Sequence, residues 1–260
     1  MGRTLRSVFK TTVLAFSLAE VLVRFLWLRI QLGAKLNIAR RAFWLHEACS
    51  LIARRLGFRQ DCGGRIPQAG LVVSNHLSYL DILFYASAMP CVFVAKSDVR
   101  KWPVFGLLAQ CGGTIFVERN RATGVSGATA QIAAALAAGI PVLLFPEGTS
   151  SDGSTVLPFY PSLLEPGVRS GATITAAAIR YTSDDCAERD LCYYGDITFG
   201  PHLLGALGRS GVRAEIQFDR EAVVYPDRKS AALKNWERVV AMRSGKVPKL
   251  TNKQASSLMV

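Results

Sequence analysis

Val72-Val73-Ser74-Asn75-His76-Leu77-Ser78-Tyr79-Leu80-Asp81, "VVSNHLSYLD", sets an apolar run against a histidine and, five residues later, a carboxylate. The run ending in two valines predicts the close of a buried strand, and Ser78 predicts the N-cap of a helix that carries Asp81 in its first turns. A strand passing to a helix over so few residues is the junction of an open α/β sheet, whose ligands collect at the carboxyl ends of the strands. His76 stands at such an end. From the helix, Asp81 can turn back to hydrogen-bond one imidazole nitrogen, fix the tautomer and leave the other nitrogen as a base. Such a dyad can deprotonate an alcohol without a protein nucleophile. By spacing alone the pair is weak evidence, because a lone histidine is more often structural.

Outward from this junction, short apolar runs alternate with helical ones. Strands are expected at Leu71–Ser74, Cys91–Ala95, Thr114–Val117, Pro141–Phe145, Ala172–Ile179, Cys192–Ile197 and Val212–Phe218. Helices are expected at Tyr79–Ala88, Trp102–Gln110, Arg121–Ala138 and Arg228–Met242. The alternation predicts the α/β class: a single catalytic domain with a largely parallel, mixed sheet flanked by helices. Gly63, Gly64 and Pro67 mark a boundary in front of it. The expected organisation is an N-terminal helical segment over 1–60, the catalytic domain over 61–245 and a polar tail over 246–260.

Half of the 260 residues are hydrophobic, enough for one sizeable core, and the net charge is +12. That charge is uneven: residues 1–60 carry eleven Lys/Arg and two acids, so +9 belongs to them and only +3 to the rest. The same segment is rich in Leu, Val, Phe and Trp, which suits an anionic membrane surface better than nucleic acid. Residues 11–31, "TTVLAFSLAEVLVRFLWLRIQ", are no uninterrupted apolar span, for Glu20 and Arg24 sit in the middle at the spacing that lets them pair on a helix. From Lys35 to Leu56 a cleaner stripe, Ile38, Ala42, Leu45, Cys49, Ile52 and Leu56, is backed by Arg40, Arg41, Arg54 and Arg55 beside Phe43 and Trp44. Basic residues with exposed rings are what an interfacial helix needs, so a monotopic pair dipping into one leaflet is expected; the alternative is that the second helix packs its stripe on a globular core. The six cysteines form no CxxC pair and the three histidines are scattered, which points to reduced thiols and to neither a zinc site nor a disulfide framework.

Three more stretches carry chemistry. "GGTIFVERNR", Gly112 to Arg121, puts Arg119 and Arg121 just after a strand, at the sheet edge expected for His76, where a guanidinium suits a phosphate; a solvated strand end is the alternative. "LLFPEGTSSDG", Leu143 to Gly153, stops at Pro146 and releases Glu147, Gly148 and Thr149 into a turn whose amides suit a polar headgroup, or into a plain turn. "VLPFYPSLLE", Val156 to Glu165, joins a rigid turn to an apolar helix start and would line an acyl tunnel or the core.

Asn75-His76 with Asp81, Gly113 to Arg119, Phe145 to Thr149 and Pro158 to Leu163 occur in the order found in the glycerolipid acyltransferases. Over roughly Gly70 to Phe218 the chain resembles the bacterial 1-acyl-sn-glycerol-3-phosphate acyltransferases and their lysophospholipid relatives. The resemblance implies acyl transfer from acyl-CoA or acyl-carrier protein to the free hydroxyl of a lysolipid, at the cytoplasmic face of a bacterial inner membrane. Neither a metal nor a bound cofactor is implied. It makes His76 the base and Asp81 its orienting partner, and it gives Asn75, Lys96, Arg119, Glu147, Gly148 and Thr149 to substrate binding. The acceptor it implies first is 1-acyl-sn-glycerol-3-phosphate, giving phosphatidic acid. Ser150, where many members have arginine, and Tyr160, where many have a basic residue, remove positive charge near the headgroup; an amino-acid-containing lysolipid such as lyso-ornithine lipid is therefore the alternative acceptor. Outside enzymes the rival is a catalytically silent, membrane-docked lipid-binding protein. A serine hydrolase lacks its GxSxG elbow and a P-loop NTPase its GxxxxGK.

Overall fold

The computed structural model describes residues 2–118 and 122–245. Strands β1 (Arg59–Gly63), β2 (Leu71–Ser74), β3 (Val92–Lys96), β4 (Ile115–Val117), β5 (Val142–Leu144), β6 (Ile174–Thr182) and β7 (Arg213–Phe218) form one sheet in the order β1-β7-β6-β2-β5-β3-β4. All neighbours are parallel except β6 and β7, so β7 and β1 run against the other five. The four residues of β2 are all buried, as expected for a central strand covered on both faces.

Helices cover both faces. On one lie α1 (Arg3–Leu32), α2 (Ile38–Leu56), α3 (Leu80–Ala88), α4 (Phe105–Cys111) and α7 (Phe199–Leu207); their apolar side chains join Val72, Phe93, Leu143, Ile179 and Ile216 in one core. On the other, α5 (Ala122–Ala137), α6 (Pro161–Arg169) and α8 (Arg228–Arg243) pack on Leu71, Val73, Val142, Ala176 and Ala178. No division of the core falls at residue 60. Trp44, Leu45, Ala48, Cys49 and Ile52 of α2 are buried in the same cluster as α3 and the sheet. The stripe read from the sequence therefore faces the core, and the helix that carries it is part of the catalytic layer.

α1 is different. It buries only Leu14, Ser17, Val21 and Phe25, and leaves Leu5, Val8, Phe9, Phe16, Val23, Leu26, Trp27 and Ile30 exposed. At 3.6 residues per turn those eight fall in one stripe roughly 100° wide, opposite the buried face. The predicted Glu20–Arg24 pair forms at 2.6 Å, and Glu20 also takes Arg55 of α2 at 2.6 Å, which locks the two helices together. Among the described residues no helix is long and apolar enough to cross a membrane.

Other expectations shift for local reasons. Cys192–Ile197 is no strand: the Tyr193 amide donates to Leu77 O at 2.8 Å and its carbonyl accepts from Ser150 Oγ, so this backbone closes the loop beside His76 instead of entering a ladder. The fourth helix starts at Phe105, not Trp102, because a residue before proline is held out of the helical region; Trp102 has ψ 129°. Val104 then takes φ 60°, a conformation a β-branched residue rarely adopts. Strand β1 escapes notice in the sequence since RQDCG has no apolar alternation. Arg121 and the tail 246–260 lie outside the described residues. All six thiols are free.

Candidate active site

β2 ends at Ser74 and α3 begins at Leu80; between them the chain turns over five residues that hold His76. The turn is built by Asp81. Its Oδ2 accepts from the backbone amides of Leu77 (2.8 Å) and Ser78 (3.2 Å) as well as from His76 Nδ1 (2.7 Å). This is a correction to the cap expected from the sequence: Ser78 is buried with its Oγ unpartnered, and the carboxylate inside the helix satisfies the start of α3 instead. Asp81 is wholly buried, and its Oδ1 accepts the hydroxyl of Tyr181 from β6. Four donors, His76 Nδ1, the Leu77 and Ser78 amides and the Tyr181 hydroxyl, thus converge on one buried carboxyl group and leave both its oxygens hydrogen-bonded.

With Nδ1 donating to Asp81, the imidazole presents Nε2 as an acceptor. No described residue hydrogen-bonds Nε2, and the His76 side chain is 23% exposed. Phe145, at the end of β5, stacks on the ring at 4.1 Å and 15°. The His76 carbonyl accepts the Ser151 amide at 2.9 Å, tying the turn to the chain that follows β5. The ring is thus fixed in plane and tautomer, with one basic nitrogen facing the sheet's carboxyl edge. That is the arrangement of a general base.

The remaining expected residues divide. Asn75 is buried and clasps both backbone groups of Ile179, its Oδ1 taking N at 2.9 Å and its Nδ2 giving to O at 3.1 Å; it pins the end of β2 to β6. Glu147 is also turned inward, with Oε1 accepting the Leu157 amide at 3.3 Å and Oε2 buried without a partner. Burial pushes its carboxyl up to about 8, against the opposing pull of the His76 and Leu157 amides. The Gly148 amide closes a turn onto Phe145 O at 3.1 Å, with Pro146 at the second turn position and Gly148, φ 71°, at the fourth. Thr149 is exposed at the edge. Lys96, at the end of β3, is exposed and pairs with Asp98 at 2.6 Å. It shares a small recess with Phe145 and Ser162. Arg119 lies outside the described residues.

An apolar cavity of about 180 Å³ runs from Tyr79, three residues past His76, between α3, α4 and α7 to Leu14 and Val21 of α1 and Trp44 of α2. Its lining is overwhelmingly hydrocarbon, chemistry that suits an apolar chain better than water. Tyr181 and the stacking of Phe145 on His76 were not anticipated, and the stretch Val156–Glu165, expected to line an acyl tunnel or the core, lines none of this cavity and puts Phe159 and Leu164 in the core. Tyr181 lies two residues beyond the expected strand end at Ile179, within a β6 that runs on to Thr182.

Residues 63–180 match the family model described as Acyltransferase. A protein named lyso-ornithine lipid O-acyltransferase from Brucella abortus (strain 2308) is 34% identical, over 88% of this chain and 90% of that one. A protein named 1-acyl-sn-glycerol-3-phosphate acyltransferase from Neisseria gonorrhoeae is 33% identical over 50% of this chain and 51% of its own. The crystal structure of the 1-acyl-sn-glycerophosphate (LPA) acyltransferase PlsC from Thermotoga maritima superposes with TM-score 0.64, covering 96% of this chain and 97% of that one at 19% identity, a likeness of fold.

Proposed function

Because the chain belongs to the acyltransferase family, we propose that it moves a fatty acyl group from a thioester donor to the free hydroxyl of a lysolipid, with His76 as general base. The observation that carries this is the dyad: Nδ1 fixed on Asp81 at 2.7 Å and Nε2 unbonded at the sheet's carboxyl edge. Nε2 takes the acceptor's hydroxyl proton as the oxygen attacks the thioester carbonyl, and Asp81 stabilises the imidazolium that forms. The tetrahedral intermediate expels a thiolate, a good leaving group, which the imidazolium then protonates. The new C–O bond replaces the C–S bond and the proton passes from alcohol to thiol. Cys49 and Cys91, both buried, are unsuited to a nucleophilic role: burial pushes the Cys49 thiol up to about 12 and the Cys91 thiol higher still.

The apolar cavity beside Tyr79 takes the acyl chain being transferred. The exposed stripe of α1 enters the headgroup boundary of a bilayer while Arg24, Arg29 and Arg40 meet lipid phosphate, which seats the sheet edge at the membrane surface where a lysolipid is found. Acyl thioesters are made in the cytoplasm, so the cytoplasmic face is the one proposed, with acyl-CoA or acyl-carrier protein as donor.

For the headgroup two observations favour lyso-ornithine lipid over 1-acyl-sn-glycerol-3-phosphate. The alignment with the Brucella protein runs through 90% of that protein's length, against 51% for the Neisseria protein. Among the described residues the charge beside the dyad also differs from what a phosphate monoester calls for. Ser150 spends its hydroxyl on Tyr193 O, and Lys96 is already balanced by Asp98. A headgroup with its own ammonium needs less cationic help than a dianionic phosphate. Purified protein on anionic vesicles, offered each lysolipid with labelled acyl-CoA or acyl-carrier protein, tests both levels. Turnover with lyso-ornithine lipid at least tenfold above lysophosphatidate is expected. The reverse ratio restores lysophosphatidate, and no transfer to any lysolipid overturns the proposal.

A further inference from the structure

The dyad is the near end of a hydrogen-bonded chain whose far end, Arg243, lies on the last turn of α8, outside residues 63–180. Its side chain is 11% exposed. Nη1 gives to Glu188 Oε1 at 2.8 Å and to Ile179 O at 3.1 Å; Nη2 gives to Glu188 Oε2 at 3.0 Å and to Gly153 O. One guanidinium therefore ties the end of β6, the turn that follows it and the loop after β5, and each leads to the dyad by a short path.

Through Glu188 the path is direct. Oε1 also accepts the Tyr181 amide at 2.8 Å, and the Tyr181 hydroxyl reaches across to Asp81 Oδ1, the carboxylate whose other oxygen holds His76. Through Ile179 the guanidinium meets the same carbonyl that Asn75, the neighbour of His76, takes with its amide. Through Gly153 it closes the turn whose Ser151 amide donates to the His76 carbonyl. Tyr181 is fully buried, its ring in tilted contact with Phe84 at 5.7 Å, so its hydroxyl has little freedom to find another partner.

We propose that Tyr181 and Arg243 are positioning residues for acyl transfer: Tyr181 holds Asp81 by its hydroxyl, and Arg243, through Glu188, Ile179 and Gly153, holds the three segments that fix His76. The arrangement is specific to arginine. A planar fork with several donors meets one carboxylate and two carbonyls at once, whereas a lysine ammonium keeps the charge opposite Glu188 without spanning all of them. The inference rests on His76 being the base, and the two stand apart experimentally.

Tyr181→Phe deletes one hydroxyl and keeps the ring. Arg243→Lys keeps the charge and removes the fork. Each is measured with full-length protein on anionic vesicles, well below its own thermal midpoint, with kcat expressed per folded molecule and KM for donor and acceptor both determined. Arg238→Lys serves as the reference for a purely structural loss on the same helix, since Arg238 pairs with Asp219 and Glu221 and leads to neither dyad residue. Expected are kcat losses of about 10-fold for Tyr181→Phe and about 10- to 100-fold for Arg243→Lys, with both KM values unchanged and Arg238→Lys near wild type. A kcat within twofold of wild type in either variant, or a change confined to KM, overturns the assignment. Sustained turnover by His76→Ala would instead overturn the base itself.

Discussion

Replacing Asp81 by asparagine probes the dyad most sharply, because the surroundings dictate how the amide must sit. Oδ2 accepts three donors, His76 Nδ1 and the amides of Leu77 and Ser78, whereas Oδ1 meets only the Tyr181 hydroxyl. An NH2 group on the first side would face three donors. On the second it faces a hydroxyl that can rotate and accept. In Asp81→Asn the carbonyl oxygen therefore takes the Oδ2 place, the imidazole keeps its tautomer, and what is lost is the negative charge. A full imidazolium–carboxylate interaction at about 4 Å and an effective dielectric near 20 amounts to about 4 kcal/mol. Proton transfer is only partial in the transition state and the amide dipole replaces part of the field, so about 2–3 kcal/mol is forfeited, a fall in kcat of about 30- to 200-fold. Asp81→Ala differs in kind, for it orphans two buried amides and a buried hydroxyl at about 1–3 kcal/mol each, a large part of the stability of a domain this size. The assay is kcat at saturating donor and lysolipid beside a denaturant titration of each variant. Asp81→Asn activity above one third of wild type would show that the charge is not used. A folded Asp81→Asn protein as dead as His76→Ala would exceed what loss of charge accounts for and refute the premise that the amide keeps His76 in its tautomer and orientation.

Glu147 gives a pH signature. Its carboxyl is raised from the ordinary 4.5 to about 8 by burial, so between those values the folded protein holds a proton that the unfolded chain releases, and stability falls by about 1.4 kcal/mol per pH unit before levelling off above 8. Melting temperatures of wild type and Glu147→Gln from pH 5 to 8.5 check this: the wild-type curve should fall and the glutamine curve should be nearly flat, and parallel curves would refute the burial argument. Trp44 walls the apolar cavity, held by Nε1 to Val21 O at 3.2 Å and by an edge contact with Phe25 at 4.8 Å. Trp44→Leu should cost about 2–4 kcal/mol and move the donor optimum toward longer acyl chains, measured with thioesters of graded length; an unchanged optimum means the transferred chain does not reach Trp44. Phe16→Asp with Trp27→Asp, both on the exposed stripe of α1, should release the protein from anionic vesicles in a flotation assay while leaving its melting temperature nearly unchanged, and retained flotation would remove α1 from the membrane contact.

What could be read from the sequence was whatever local pattern dictates. β2 begins and ends where its apolar run does, and the five-residue step from His76 to Asp81 is closed by one turn of chain, so the dyad was visible in ten residues. The Glu20–Arg24 pair is a property of helical spacing and was equally accessible. What escaped depends on partners distant in sequence. Tyr181 meets Asp81 only because β6 pairs with β2, and Glu147 turns inward because the chain after β5 folds back to offer it the Leu157 amide. Cys192–Ile197 has the composition of a strand, yet the loop beside His76 claims its backbone through Leu77 and Ser150. Local propensity there gives way to a tertiary demand set by the site.

α1 and α2 also show why composition alone could not assign their roles. Both are basic and aromatic, but α2 spends its stripe on the core, and α1 spends only a narrow face and keeps a wide apolar one outside. The inner faces of the two helices, Val21 and Trp44 among them, wall the cavity, while Val23 and Trp27, a few residues along α1, point away from it. Two properties that look like one in the sequence are therefore separable in the fold. In the function proposed above, the inner face would set which chain fits and the outer face whether the protein sits on lipid, while Glu20, bridging Arg24 and Arg55, ties the two helices together. A change at Phe16 or Val23, which line neither this cavity nor the recess that Trp27 shares with Val21 and Trp44, should leave the other property untouched, because such side chains share a backbone with the cavity wall and no contact surface.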